Sequence, residues 1–149
     1  MEADPHRKLI QGNGEGAFGI GRGEEGEGMG DEKIHWRSVC PISSALDVVG
    51  DKWTILIIRD LIIHGTRTYS EFLESPERIS TNILADRLSL LTGLKLIERT
   101  EPEAAARNNA FKLTKSGAAL RPVLEGLGKG SHTHLKAFHT RIVKSPGWY

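Results

Sequence analysis

The sequence predicts an α+β domain that is mostly α-helical and contains one β-hairpin late in the chain. Apolar residues recur at helical spacing through residues 41–93, and helical spacing returns after residue 115. Between these regions, two short alternating segments flank a turn-prone loop at residues 101–109. With 149 residues, 38% of them hydrophobic, the chain is long enough for one domain with a hydrophobic core.

Residues 1–30 differ from the rest in composition. They hold nine of the 17 glycines, six acids and three bases, and too little apolar surface to offset the entropy of ordering. Their G-x-G-x-x-G match follows no strand and precedes no helix, so it does not predict a dinucleotide site. We predict a disordered extension over residues 1–30 and one folded domain over residues 31–149.

Two helices are expected at the start of the domain. The first begins at Cys40-Pro41, because proline suits the first helical turn, and Gly50 closes it. The second begins after Asp51, whose carboxylate can cap it, and Gly65 breaks it. The apolar stripes expected to face the core are Ile42, Ala45, Leu46 and Val49, then Trp53, Leu56, Ile57 and Leu61.

A short third helix and a longer fourth helix follow. Thr68 and Glu71 have the spacing of a capping box at the start of the third helix. The fourth helix begins at Ser80, its expected cap, and ends at Gly93, its expected terminal glycine. Its inward stripe is Leu84, Leu88 and Leu91, and its outward stripe is Asn82, Asp86 and Ser89.

The second half completes the pattern. Two strands are expected in LKLIERT and AFKLT, followed by a helix from Lys115 to about Gly128 that is kinked or restarted near Pro122. Residues 131–143 continue that helix or form a final one. This order predicts a winged helix-turn-helix, in which the fourth helix enters the major groove of DNA and the hairpin forms a wing.

Candidate DNA contacts lie on the fourth helix and the wing. A face that reads base edges needs short hydrogen-bonding side chains, and charged groups beside it meet phosphates. Arg87 and the wing-tip Arg107 are expected to contact phosphate, with Lys112 a weaker candidate; Asn108 and Asn109 complete the expected tip. The alternative is an ordinary solvated helix face with solubility charges. The full candidate set is Ser80, Thr81, Asn82, Arg87, Ser89, Arg107 and Lys112.

The chain resembles the HxlR-type branch of winged helix-turn-helix transcriptional regulators, relatives of the MarR group. The motifs that carry the resemblance are CPISSALDVVGDKWTILIIRDL, GTRTYSEFLESPERISTNILADRLSLLTGLKLIERT and FKLTKSGAAL, in order. The resemblance implies a homodimer on operator DNA, and we expect repression from an inverted-repeat operator. The chain departs from the family at Ala85 and Asp86, where glutamine, lysine or arginine is usual, so its operator preference is expected to differ.

Apolar residues outside the small winged core predict how two chains pair. They lie in the flanking segments 31–49 and 116–143. Dimers of this kind place two reading helices on symmetric half-sites. The residues expected to pair the chains are Ile34, Trp36, Val39, Leu120, Val123, Leu124, Leu127, Leu135, Phe138 and Ile142.

Cys40 is a candidate sensor of oxidants or electrophiles, as in several members of the resembling family. Backbone N–H groups at a helix start favour the thiolate, which is the reactive form. Since the chain has one cysteine, a disulfide would have to form with the partner subunit or a small thiol. The alternative is a packing role at a dimer-facing position. A small electrophile or other inducer is the further partner expected.

Other function classes have less support. His132 and His134 are two residues apart, whereas ligation from a helix prefers i and i+4, so together with His139 they predict a cationic surface and no metal site. The sequence contains no G-x-S-x-G, H-E-x-x-H or P-loop motif, so neither an enzyme nor a cofactor is expected. Without a membrane-length apolar run or a secretory signal pattern, the expected compartment is the cytoplasm. The remaining alternative is a redox- or ligand-responsive protein-interaction module with a degenerate DNA-binding fold.

Overall fold

The computed structural model describes residues 34–103 and 109–143, so the predictions for residues 1–30, Arg107 and Asn108 lie outside the described residues. The described chain confirms the mainly helical α+β class and the hairpin after the fourth helix. Its elements are α1 Pro41–Val49, α2 Lys52–His64, β1 Thr66–Thr68, α3 Tyr69–Leu73, α4 Thr81–Gly93, β2 Ile97–Arg99, β3 Ala110–Leu113, α5 Lys115–Ala118, α6 Arg121–Gly130 and a π-helical turn Ser131–Leu135.

A three-stranded antiparallel sheet joins the wing to the start of the helix-turn-helix. The strand order is β1-β3-β2, and Phe111 of β3 lies opposite both Arg67 and Arg99. The hairpin strands β2 and β3 were predicted, whereas β1 was not. A three-residue strand has no readable alternation, and its partner β3 lies far along the chain, so local pattern does not reveal it.

The core lies where α2, α3, α4 and the sheet meet. Leu84, Leu88 and Leu91 are buried, as the helical spacing predicted. Two residues expected to pair the chains instead belong to the monomer, because Leu124 is buried in the core and Leu120 packs against it. The buried apolar residues are Ile57, Ile58, Leu61, Phe72, Ile79, Leu84, Leu88, Leu91, Ile97, Phe111 and Leu124.

The first helix differs from its prediction on one face. Ile42 is 73% exposed, Leu46 is 52% exposed and Ala45 is also exposed, although all three were expected to face the core. Val49 does pack against the core. The physical reason is that α1 lies outside α2, so its outer side has no second layer of described residues to cover it.

Side-chain caps fix the starts of α2 and α3 as predicted. The Asp51 carboxylate accepts hydrogen bonds from the backbone N–H groups of Trp53, at 2.9 Å, and Thr54, at 3.1 Å. Thr68 and Glu71 form a complete capping box at the start of α3. Gly65 ends α2 with a φ of 79°, a conformation that favours glycine.

The predicted glycine cap of α4 is wrong by two residues. Gly93 stays in the helix, and Lys95 takes the left-handed conformation with a φ of 57°. The backbone N–H of Leu96 donates to the carbonyl of Leu91 at 2.9 Å, and that of Lys95 donates to Thr92 at 3.0 Å. These two bonds form a Schellman motif with lysine in the position that glycine usually occupies.

A side-chain bond from the far side of the wing holds this turn. The Thr114 hydroxyl donates to the Lys95 carbonyl at 2.6 Å and also accepts from the backbone N–H of Gly117 at 3.2 Å. A Cβ on Gly117 would lie 2.0 Å from the Leu96 carbonyl oxygen. The Leu-Thr-x-x-Gly motif therefore joins the end of α4, the wing and α5.

The last helices resolve the alternatives that the sequence left open. The predicted helix restarts, because α5 ends at Ala118 and α6 begins at Arg121 with Pro122 in its first turn. The following residues continue α6 as a π-helical turn. Among the residues described, no helix is both long enough and apolar enough to cross a membrane.

Candidate nucleic-acid interface

The fourth helix is held firmly on its inner side and is open on its outer side. The Tyr69 hydroxyl donates to the Thr81 carbonyl at 2.7 Å, which ties α3 to the first turn of α4. The buried leucines fix its rotation about its own axis. The outer residues are all exposed, and they are Ser80, Thr81, Asn82, Ala85, Asp86, Ser89 and Thr92.

Ser80 occupies the N-cap position but does not act as the predicted cap. Its backbone is extended, with a φ of −74° and a ψ of 154°, yet its side chain forms no capping bond with any described residue. The first N–H groups of an α-helix have no partner within the helix. The Ser80 hydroxyl and the exposed first turn of α4 therefore form a surface of hydrogen-bonding groups that suits phosphate or base edges.

Arg87 points toward the start of α2. Its Nε atom lies 3.4 Å from the Asp51 carboxylate, the same group that caps α2. That Nε is inaccessible to solvent and has no hydrogen-bond partner among the described residues. The ion pair competes with the phosphate contact predicted for Arg87, and local spacing could not reveal it because the two residues belong to different helices.

Lys112 is paired across the wing. It lies opposite Glu98 in the β2–β3 register, and its Nζ is 3.2 Å from the Glu98 carboxylate. Both side chains are about half exposed, so solvent screens the pair and its contribution to stability is small. Glu98 nevertheless offsets the charge that Lys112 would present to a phosphate.

Asn109 closes the base of the wing, although it was predicted at the wing tip. It is 1% exposed. Its side-chain oxygen accepts from the Glu101 N–H at 3.2 Å, and its Nδ2 donates to the Glu101 carbonyl at 2.5 Å. These two bonds resemble one more residue pair of the hairpin ladder, so a side chain extends the wing stem where strand pairing ends.

A polar cluster beneath the helix-turn-helix was not predicted from the sequence. Asp60 is 5% exposed; it accepts from Arg59 at 2.7 Å and from the Ser75 hydroxyl at 2.5 Å. Arg67 lies 3.6 Å from the same carboxylate. The one signal in the sequence was the Arg-Asp pair interrupting an otherwise apolar helix.

The cluster also holds the turn before α4. Arg59 donates to the Glu77 carboxylate at 3.0 Å. This hydrogen bond raises the pKa of Arg59 and holds the pKa of Glu77 below its usual range. Because Ser75 and Glu77 lie between α3 and α4, these contacts fix where α4 begins.

Cys40 lies where the sequence placed it, at the N-cap of α1, and it is exposed. Its backbone N–H donates to the Ser38 hydroxyl at 3.2 Å. The histidines do not come together with other ligands, because no three His, Cys, Asp or Glu residues within 34–103 and 109–143 are grouped to hold a metal ion.

The fold is a winged helix-turn-helix, a DNA-binding fold. It is defined by three helices, by an antiparallel sheet that includes a hairpin wing, and by an open polar face on the last helix of the motif. Residues 48–138 match the family described as HxlR-like helix-turn-helix. The chain therefore belongs to this family of transcriptional regulators.

Known proteins of the same kind are similar over most of the domain. An uncharacterised HTH-type transcriptional regulator of Synechocystis is 29% identical over 126 residues, which cover 84% of this chain and 80% of that protein. The crystal structure of PA1607, described as a transcription factor candidate, is 33% identical, covers 67% of this chain and 68% of its own, and has a TM-score of 0.58. The reduced form of the regulator YodB from Bacillus subtilis is 28% identical and has a TM-score of 0.54. The match covers 65% of this chain and 95% of the YodB chain.

Proposed function

We propose that the protein is a homodimeric repressor that binds an inverted-repeat operator, with one α4 in the major groove of each half-site. The observation that carries the proposal is the open face of α4, where exposed hydroxyl and amide groups stand on a helix whose opposite side is fixed in the core. Asn82, in the first turn, is suited to paired hydrogen bonds with adenine. We also propose that the protein acts in the cytoplasm.

Exposed apolar residues on the flanking elements support the dimer. Trp36, Val39, Leu127 and Phe138 are all at least half exposed, although they are large and apolar. Single exposed apolar residues are ordinary, but a set concentrated in α1, α6 and the residues beside them is typical of an interface. A sedimentation measurement at micromolar concentration should show a dimer, and monomer alone would contradict this part of the proposal.

Selection of bound duplexes from random DNA, at a stated salt concentration, tests the function as a whole. We expect an enriched inverted repeat whose half-sites lie about one helical turn apart. Affinity for that duplex should fall steeply as salt rises, because bound lysine and arginine release counterions from phosphates. If no sequence is enriched and no duplex binds at low salt, the protein-interaction module is favoured instead. That alternative is also supported by the exposed acid Asp86 and by the ion pairs of Arg87 with Asp51 and of Lys112 with Glu98.

We propose that Arg107, which follows β2 and precedes β3 in the sequence, contacts phosphate without reading the base sequence. Arg107→Ala should weaken all duplexes similarly and reduce the slope of log affinity against log salt by about one. The matched control is Arg141→Ala, which removes an exposed arginine from the residues after α6 and should leave the slope unchanged.

Transcription of a promoter that carries the selected site should decrease when the protein is added, and an increase would contradict repression.

Sensing by Cys40 is a second proposal, favoured by its exposure at a helix start. Among the similar solved structures, one of YodB is described as quinone-bound and another as diamide-treated. Here we propose that oxidation or alkylation of Cys40 changes operator affinity. Cys40→Ser should remove the response to diamide or quinone while preserving binding, and an oxidised wild type with unchanged affinity would leave Cys40 a packing residue.

A further inference from the structure

A cleft of about 560 Å³ lies between the end of α4, strand β2 and the start of α5. We call it the wing-root cleft, and its polar lining comes from Thr92, Lys95, Glu98, Arg99, Thr114, Lys115 and Ser116. Its size lies within the usual range for small-ligand sites, roughly 300–1,000 Å³. It adjoins both elements that the proposed function assigns to DNA, because Thr92 ends the outer stripe of α4 and Arg99 belongs to the wing.

The lining carries an excess of positive charge. Lys95, Arg99 and Lys115 form no ion pair with any residue of the described chain. Glu98, the acidic residue of the lining, is already paired with Lys112 at 3.2 Å. Like-signed charges that share a concave surface concentrate their field and attract counter-charged groups. Of the predicted phosphate contacts, Arg87 and Lys112 have acidic partners, whereas the three cations of the cleft have none among the described residues.

The backbone holds one of these cations in a costly conformation. Lys95 has a φ of 57°, which favours glycine. The Thr114 hydroxyl on the Lys95 carbonyl, at 2.6 Å, keeps the turn in place. The chain therefore carries a lysine where glycine would be less strained, and such local strain concentrates at sites of ligand binding. The same bond fixes Lys95 relative to Thr114 and Lys115 across the cleft.

We propose that the wing-root cleft binds an oxyanion of the phosphate or carboxylate class, through Lys95, Arg99 and Lys115. Two sources supply this chemistry, a backbone phosphate of the bound duplex or a small free anion that acts on the regulator. The choice between these sources rests on the proposed function, while the presence of the site does not. Ile97 and Pro102 add apolar surface that a small organic anion could cover.

The first arm of the test uses the full chain without DNA and inorganic pyrophosphate as the probe. Titration followed by calorimetry and by ¹⁵N amide spectra should show saturable binding that shifts the amides of Thr92, Lys95 and Ser116. The variant Lys95→Gln/Lys115→Gln should bind pyrophosphate at least about tenfold more weakly, since it loses two charged contacts. The matched control is Lys129→Gln/Lys136→Gln, which removes the same charge from exposed positions in α6 and after it, and circular dichroism should confirm that both variants are folded.

The second arm measures affinity for the selected operator duplex over several salt concentrations. If the cleft variant loses pyrophosphate binding and keeps the operator affinity of the control, the site serves a free anion. If it loses operator affinity beyond the control with a smaller salt slope, the site holds a backbone phosphate. Both results support the proposal. It is overturned if pyrophosphate binds no better to the wild type than to the cleft variant and the duplex affinities of cleft and control variants are equal.

The two arms separate the failure of the cleft from the failure of the proposed function. A wild type that binds no duplex contradicts DNA binding, and the pyrophosphate arm then decides the cleft by itself. If the wild type binds its operator, but the cleft variant matches the wild type in pyrophosphate binding and the control variant in operator affinity, only the oxyanion site is contradicted.

Discussion

The two helices of the helix-turn-helix, α3 and α4, both have a hydroxyl residue at the N-cap, Thr68 and Ser80, but only one of these hydroxyls caps its helix. Thr68 accepts from the Glu71 N–H and takes part in a complete capping box. Ser80 has a similar extended backbone but makes no side-chain cap with any described residue. The comparison shows that a side chain of the described residues caps the first turn of α3, whereas none caps the first turn of α4.

The same contrast holds for the acidic residues nearby. Asp51 caps α2, accepts from the Thr54 hydroxyl at 2.5 Å and faces Arg87. Asp86, on the outer face of α4, is exposed and has no ion pair among the described residues. Interactions within the chain thus accumulate on the side of the motif that sets its geometry, and they are sparse on the side that faces outward.

The largest expected effect on stability is at Asp51. Asp51→Ala should lower the free energy of unfolding by about 2 kcal/mol, because it removes a cap of two N–H groups and leaves the buried Thr54 hydroxyl without its acceptor. Urea unfolding measures the change. The control Asp86→Ala removes an acid from the outer face and should stay within about 0.5 kcal/mol of wild type. Equal losses of stability for Asp51→Ala and Asp86→Ala would contradict the inference that stabilising contacts are concentrated on the inner side of the motif.

Thr68→Ala and Ser80→Ala compare the two helix starts directly. Thr68→Ala should cost about 1 kcal/mol of stability through loss of the capping box, and the folded protein should keep its operator affinity. Ser80→Ala should change stability by less than about 0.5 kcal/mol and weaken operator binding. Unfolding curves and duplex titrations on both variants check whether Thr68→Ala affects mainly stability and Ser80→Ala mainly operator binding. The prediction is wrong if Ser80→Ala is the more destabilising change.

The smallest expected effect is the pH dependence of the capping box. The backbone N–H of Thr68 donates to the Glu71 carboxylate and holds the pKa of Glu71 below its ordinary value of 4.5. Since the folded pKa is the lower one, the stabilisation is present above the unfolded pKa and is lost as pH falls through the folded value. The stability difference between wild type and Glu71→Gln should therefore narrow on acidification. A difference that stays constant down to the acid transition would contradict the carboxylate's role.

Local signals predicted most of the helical scaffold. Asp51, Gly65 and the Thr68 box act within one or two turns of the chain, so sequence spacing alone identified them. What spacing missed depends on contacts between distant segments. Strand β1 exists because it pairs with β3, and the Thr114 hydroxyl holds the left-handed Lys95 that follows α4 through its carbonyl.

The candidate site was predictable in outline and less so in its charges. The outer stripe of α4 follows from helical period and the inward leucines, so the exposure of Asn82 and Ser89 could be expected. The partners of Arg87 and Lys112 lie on other elements, and the wing-root cleft gathers residues from three elements. Periodicity along one helix contains no information about such neighbours.

The central claim is that the open face of α4 reads DNA sequence, and Asn82→Ala tests it most directly. Competition titrations should compare wild type and variant on the selected operator and on its single-base variants at one salt concentration. We expect a loss of about 1–3 kcal/mol on the best site, with discrimination relaxed at one base position and retained at the others. An equal loss of affinity for every sequence, with all preferences intact, would contradict the assignment of α4 as the reading helix.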